Sequence, residues 1–345
     1  MKTLLLNNTS EDIKKAAEIL QNGGLVGMPT ETVYGLSANA LNPNAVANIF
    51  KAKGRPMDNP LIVHISDFKQ IAEFSLAEEI PQKAKILAEK FWPGPLTIIV
   101  KKGKAIPDEV SAGLDTVAIR LPSHNTARDL ISTANLPLAA PSANLSGSPS
   151  PTSAQHVYDD LNGKIDAIID GGVSDVGLES TVITLAEEPP RLLRPGGITK
   201  EQLEDAIGTI IVDNAVLNKL EDNAKAASPG MKYKHYAPKA NVVLIKSKDN
   251  AFYNFVNDNA NNNNTAVICY NEDAQHINAK SFLIGDKKDL EAQAHNLFDI
   301  LREIDTDDTI TKVYARCPKT EGVGMAVYNR LIRAAGFEVK HLEKL

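Results

Sequence analysis

Three features predict an α/β fold in two parts. Short apolar runs alternate with amphipathic ones over the first two-thirds of the chain. A polar and aromatic break follows near residues 214–238, and a second alternating stretch lies beyond it. At 345 residues the chain is too long for one ordinary core. Several predicted strands lack an intervening helix, so the first sheet is expected to be mixed.

The elements follow in order. Leu4 to Leu6 reads as a short strand. Ser10 is placed to cap a helix carrying Glu11 and Asp12 in its first turn, where carboxylates suit the dipole. Ile13, Ala16, Ala17 and Leu20 keep helical spacing until Gly23-Gly24 stops it. Strands are predicted at Leu25 to Met28, Leu61 to Ile65, Leu96 to Val100, Val117 to Leu121 and Leu136 to Ala140. Others are Ala167 to Ile169, Thr181 to Leu185 and Arg191 to Leu193. Helices near 44–52, 81–91, 125–134 and 152–161 are interspersed, and Thr199 with Gln202 forms a capping box for another.

Beyond the break, strands are expected at Val242 to Ile245, Ala266 to Tyr270, Phe282 to Ile284 and Val313 to Ala315. Helices fall near 289–304 and 323–335, and Gly322-Val323-Gly324 reads as the turn that starts the second. The asparagine run from Asn261 to Asn264 reads as a surface loop.

Composition excludes several classes. Hydrophobic residues make up 43% and charged ones 23%, as in a soluble globular protein. A formal net charge of -6 gives no global attraction to nucleic acid or an anionic membrane, so any RNA contact is local. Cys269 and Cys317 lie in apolar strand-like runs and read as buried small hydrophobes, not a zinc or disulfide framework. Only three leucines follow Lys2, too few for a signal peptide, and no run approaches the roughly 18 apolar residues of a membrane span. A cytosolic, cytoplasmic location is expected.

The chemistry concentrates in two stretches. Lys51-Ala52-Lys53-Gly54-Arg55-Pro56 puts cations on both sides of a glycine, and Pro141-Ser142-Ala143-Asn144 offers a hydroxyl and an amide on a small-residue loop. No G-x-x-x-x-G-K-[ST] occurs, so a polyphosphate has to be held mainly by side chains. Lys53, Arg55, Arg120 and Arg194 supply cations, the two last at ends of apolar strands where an unpaired arginine is costly. Hydroxyls come from Pro29-Thr30-Glu31-Thr32, from Ser142, Ser146 and Ser150, and from Glu179-Ser180-Thr181. No serine, histidine and aspartate form a recognisable nucleophile motif, so covalent catalysis is not indicated.

These motifs together resemble the YrdC-like family in its long two-domain form, the threonylcarbamoyl-AMP synthases. The resemblance rests on Pro29-Thr30-Glu31-Thr32-Val33-Tyr34-Gly35-Leu36, on Lys53-Gly54-Arg55 with Asn59-Pro60-Leu61, and on Phe91-Trp92-Pro93-Gly94-Pro95-Leu96-Thr97. It continues through Pro141 to Gly147, Glu179 to Val182 and Leu193-Arg194-Pro195-Gly196, while Ser228 to Pro238 resembles the linker of the long form.

The resemblance implies a YrdC-like open, twisted mixed sheet in a catalytic domain over 1–210 and a linker over 211–239. A smaller Rossmann-like α/β domain over 240–345 would follow. It implies an enzyme joining L-threonine, bicarbonate and ATP into threonylcarbamoyl-AMP and pyrophosphate, with magnesium on the phosphates. Downstream transferase machinery then moves the group to the tRNA adenosine beside the anticodon, and the enzyme itself need not bind tRNA.

By the same resemblance, Lys53, Arg55, Ser142 and Asn144 form the catalytic set. ATP is held by Arg55, Asn59, Thr116, Ser142, Ser150 and Arg194, with Tyr236 of the linker as part of a lid. Thr32, His64, Arg120, Ala140 and Ser180 enclose threonine, Arg120 being best suited to its carboxylate. An RNA-binding module without nucleotidyl transfer is the alternative from another class. A carbamoyl-phosphate enzyme is disfavoured, because the chain lacks cysteine-rich zinc motifs.

Overall fold

The computed structural model describes residues 2–219, 235–260 and 262–342. Two compact units emerge: Met1–Ser146 with Ser150–Lys232, and Gly147–Pro149 with Tyr233–Leu345.

The first unit is built on an eleven-stranded mixed sheet. Its strands are β1 (Leu4–Asn7), β2 (Val26–Met28), β3 (Gly35–Asn39), β4 (Ile62–His64), β5 (Leu96–Lys101) and β6 (Thr116–Arg120). They continue with β7 (Leu138–Ala139), β8 (Ala167–Asp170), β9 (Thr181–Thr184), β10 (Arg191–Arg194) and β11 (Ile211–Val212). The spatial order is β1-β8-β2-β3-β7-β4-β6-β5-β9-β10-β11.

Helices α1 (Ser10–Gln21), α2 (Pro43–Lys53), α3 (Gln70–Glu73), α4 (Gln82–Phe91), α5 (Asp108–Ser111), α6 (Asn125–Ala134), α7 (Ala154–Leu161) and α8 (Lys200–Ile207) connect them. The apolar stripe Ile13, Ala16, Ala17 and Leu20 of α1 packs with Leu130, Ile131 and Ala134 of α6 over Val26, Met28, Ala167 and Ile169. Burial of these stripes, more than helix propensity, holds the two helices on the sheet.

Most predicted elements stand where periodicity put them, and the differences have local causes. The cap of α1 is Thr9, not Ser10; its side chain accepts from the Asp12 amide, so Ser10 is already helical. The Thr199–Gln202 capping box on α8 forms as expected. Strand β3 was not expected, since Gly-Leu-Ser-Ala-Asn has little strand propensity. It forms because both neighbours pair with it, Val26 opposite Ser37 and Ala38 opposite Ala139. Cys317 is half-buried just past a strand, not a core residue like Cys269.

The second unit is a five-stranded parallel sheet in the order β14-β13-β15-β12-β16. Its strands are β12 (Asn241–Lys246), β13 (Thr265–Cys269), β14 (Lys280–Leu283), β15 (Lys312–Arg316) and β16 (Val339–His341). Helices α9 (Asp249–Asn259), α10 (Leu290–Ile304) and α11 (Gly324–Ala334) join them. Helix α9 escapes the sequence reading because asparagine dilutes its pattern, though Phe252 and Val256 are buried at i, i+4 spacing. Gly322 has φ +54° and α11 begins two residues later, so the glycine turn does start that helix.

One glycine of the first unit fixes a loop that matters below. A Cβ on Gly196 would lie 2.4 Å from the Thr181 amide nitrogen and 2.8 Å from the Glu179 carbonyl. Both are backbone atoms and cannot turn away, so the chain after β10 is pressed against residues 179–181. Gly196→Ala is expected to push the two apart, lowering the urea midpoint of unfolding while leaving the far-ultraviolet circular dichroism spectrum unchanged. A wild-type midpoint would show that the contact is slack.

Candidate active site

Strand directions gather the functional residues at two ends of one face. Strands β4 and β6 are parallel, with His64 opposite Arg120 and Ile62 opposite Ala118. Strand β5 runs antiparallel to β6 with Lys101 opposite Thr116, so Thr97 falls at the Arg120 end and Thr116 at the other. Strand β9 starts beside the start of β5, Thr181 opposite Leu96, and the antiparallel β10 ends there at Arg194, opposite Val182. Strand β7 runs antiparallel to β4, so the chain leaves it toward the start of β4, carrying Ser142 and Asn144 there. Thr116 and Arg120 are four residues apart in one strand, hence on the same face and roughly 13 Å apart.

At the Arg120 end, one buried guanidinium is anchored three times. Nε donates to the Gly94 carbonyl at 3.3 Å, Nη1 donates to Thr32 Oγ1 at 2.8 Å, and Nη2 lies 2.7 Å from Glu31 Oε1. Both charged side chains of the pair are about 95% buried. The Glu31 contact is close but not aligned as a directed hydrogen bond, so charge holds it. Burial alone would raise the Glu31 pKa; the adjacent Arg120 guanidinium and the Ser123 backbone outweigh that and lower it.

His64 faces the same spot. Desolvation, then the Arg120 charge, push its pKa down to about 3, so it stays neutral, with Nδ1 3.2 Å from the Ile62 carbonyl. Three strands across the sheet, where β9 begins, Ser180 Oγ lies 2.7 Å from Thr97 Oγ1 and accepts from Arg194 Nη2 at 3.1 Å. Arg194 Nε also donates to the Ser180 carbonyl at 2.9 Å. Arg194, expected with the nucleotide set, is therefore tied to a residue of the threonine set.

At the opposite end, Lys53 closes α2 and Gly54 caps it in the left-handed region, φ +63°. The buried Lys53 ammonium donates to the Ser142 carbonyl at 2.5 Å, to the Asn144 carbonyl at 2.6 Å and to Asn144 Oδ1 at 3.3 Å. Ser142 Oγ donates to that same Oδ1 at 2.6 Å. Arg55 donates to the Asn59 carbonyl at 3.0 Å and lies over the Phe50 ring. Ala140 sits nearer this end, its amide on the Ile62 carbonyl.

Residues 30–36 bridge the two ends. Thr32 holds Arg120, while the Tyr34 carbonyl accepts from the Ala143 amide and the Leu36 amide donates to the Pro141 carbonyl. Ser150 Oγ donates to Glu179 Oε1 at 2.5 Å, one residue before Ser180. Tyr236 is buried in the second unit against Phe298 and Arg330, with ring centroids 5.2 Å apart and the guanidinium 5.7 Å away. The rest of the proposed strap, Ser228 to Lys234, lies outside the described residues.

Sequence reasoning missed Glu31, Thr97 and Glu179 as site residues. A buried acid in a hydroxyl-rich motif was the available signal for Glu31 and Glu179; Thr97 gave none, since a threonine inside an apolar strand is ordinary.

The neutral His64 links the site to pH. An unfolded histidine takes up a proton below about 6.5, whereas the folded one resists until about 3. Stability must therefore fall as pH drops through that window, because the unfolded state binds the extra proton. By pH 5 the loss from this one group is about 2 kcal/mol. Urea unfolding at pH 7 and pH 5 should show a smaller difference for His64→Gln than for the wild type; equal differences would place His64 in a wetter setting.

Known proteins match this architecture along its length. A family model described as "Telomere recombination" covers residues 18–196, and one described as the C-terminal domain of threonylcarbamoyl-AMP synthase covers 198–336. Threonylcarbamoyl-AMP synthase of Pyrococcus abyssi is 47% identical over 95% of each chain, and that of Bacillus subtilis 45% identical over 97% of this chain and 96% of its own. The crystal structure of P. abyssi Sua5 complexed with L-threonine superimposes with a TM-score of 0.92, at 44% identity, covering 99% of this chain and 100% of the other. An ordered set of buried cations and hydroxyls on one mixed sheet, followed by a parallel α/β unit, thus has full-length counterparts, and the chain belongs to the threonylcarbamoyl-AMP synthase family.

Proposed function

We propose that the protein condenses L-threonine, bicarbonate and ATP into threonylcarbamoyl-AMP, releasing pyrophosphate. The observation that carries this reading is a pair of polar clusters toward opposite ends of the central strands of one sheet. One is built around Arg120, the other around Lys53, Ser142 and Asn144. An amino acid at the first and a nucleotide reaching toward it from the second fit that arrangement.

Arg120 pairs with the threonine carboxylate, its charge arranged in advance by Glu31 and Thr32. Thr32 and Ser180 read the threonine hydroxyl, and His64, being neutral, adds no competing charge. Lys53 already meets three protein acceptors, matching its three donors, so its part is to staple the Ser142–Asn144 loop. Arg55, Asn59 and Thr116 lie where the polyphosphate and nucleoside would enter.

The threonine carbamate then attacks the α-phosphate while pyrophosphate leaves. Several anions meet at one place, so positioning and charge neutralisation are the main catalytic resources. Among the described residues no three His, Cys, Asp or Glu side chains are grouped to hold a metal ion. Magnesium would travel with the ATP phosphates, as that ion commonly does.

The labile product passes to transferase machinery that modifies the tRNA adenosine beside the anticodon, without this protein having to bind tRNA. Among the described residues no helix is long and apolar enough to cross a membrane. An RNA-binding module without catalysis is not favoured, since the full-length relatives are named threonylcarbamoyl-AMP synthases.

The assay is pyrophosphate release from ATP. Release should require both threonine and bicarbonate, and valine should be a much poorer substrate because it leaves the hydroxyl-reading groups unpaired. Arg55→Ala should keep the fold and slow turnover roughly a hundredfold, the usual cost of losing one charge-stabilising contact. Release independent of threonine, or unchanged in Arg55→Ala, would overturn the reading.

A further inference from the structure

Glu179 belongs to none of the substrate contacts proposed above, yet it fixes the polarity of one of them. Ser150 is fully buried and Glu179 is 6% exposed, so their 2.5 Å contact sits in a dry setting. A distance that short is typical of a hydroxyl donating to a carboxylate. A serine hydroxyl has one proton and two lone pairs, and an ionised carboxylate can only accept. The single Ser150 proton is therefore committed to Glu179, and the oxygen presents lone pairs elsewhere.

The carboxylate has little freedom to follow a different arrangement. The Thr181 amide donates to the Pro95 carbonyl at 2.9 Å, the Ser180 carbonyl accepts from Arg194, and Gly196 is pressed against residues 179–181. Turning the Ser150 proton toward a phosphate would strip the buried carboxylate of this bond. It would also set two anions against one hydroxyl oxygen.

We propose that Glu179 is a positioning residue that makes Ser150 an obligate acceptor, so that Ser150 reads an N–H or O–H donor of the nucleotide and not a phosphate oxygen. The donor is either the adenine amine or a ribose hydroxyl. The inference rests on Ser150 being a nucleotide contact, as read above. It assigns Glu179 a part in nucleotide selection through the serine it orients.

The test is a ratio. Threonine-dependent pyrophosphate release by the full-length protein is measured with ATP, 2′-deoxyATP, 3′-deoxyATP and inosine triphosphate. The wild type should discriminate against the analogue lacking the donor by roughly tenfold to a hundredfold in kcat/KM, the range for a lost hydrogen bond involving a charged system. Which analogue suffers identifies the donor.

In Glu179→Leu the Ser150 proton is released, and the ratio for that analogue should collapse toward one, as it should in Ser150→Ala. Glu179→Gln, whose amide can donate to Ser150 or accept from it, should fall between. Each ratio is internal to one preparation, so a reduced folded fraction does not move it. Equal use of all four nucleotides by the wild type would overturn the proposal. So would discrimination that survives in Glu179→Leu but disappears in Ser150→Ala. If Ser150→Ala instead leaves both the KM for ATP and every ratio unchanged, it is the underlying nucleotide contact that fails.

Discussion

The buried guanidinium of Arg120 is the constraint on which the first unit's site depends. A cation that deep is costly unless its donors and its charge are met. The chain meets them with three groups from two separate segments: the Gly94 carbonyl from one, the Glu31 carboxylate and Thr32 hydroxyl from the other. Satisfying one side chain therefore forces the turn before β3, the loop before β5 and the end of β6 to converge. Removing one partner of such a pair typically costs several kcal/mol because the other charge is left stranded. The same charge adds to desolvation in keeping His64 neutral.

Lys53 plays the matching role at the other end of the face. Its ammonium binds two carbonyls and an amide oxygen of one small-residue loop. A cation that looks in sequence like a phosphate ligand is held by acceptors of the protein itself. Between the two ends, residues 30–36 carry backbone bonds to the loop after β7 and a side-chain bond to Arg120. Movement at one end would be felt at the other, which is what a reaction joining two substrates requires.

The sheet face that carries these groups continues into an apolar cluster of Ile62, Ile99, Ala118, Val182, Leu193 and Ala215. Ala215 belongs to the short turn of helix that follows β11, within a stretch that carries no periodic signal in sequence. Its burial shows why composition alone misleads there: a small residue needs no local pattern to fill a gap that strands from elsewhere create. Strand β11 is similar, two residues long and held by pairing with Arg191 and Leu192.

The sequence by itself determined the α/β class and most strands and helices, and it singled out several of the polar residues gathered in the first unit, though not Glu31, Thr97 or Glu179. Periodicity, caps and glycine stops are local properties, and the motifs around Lys53, Ser142 and Ser180 are contiguous. Tertiary structure decided which of those residues meet. Strand order set Arg194 against Ser180, placed Thr116 and Arg120 at opposite ends of one strand, and gave Gly35–Asn39 a strand conformation its propensity does not favour. It also decided that Lys53 grips protein and that the Ser150 proton points at Glu179. Hydrogen-bond polarity and charge compensation depend on distances between segments as far separated as Lys53 and Asn144, 91 residues apart, or further, and no local pattern in a chain encodes those distances.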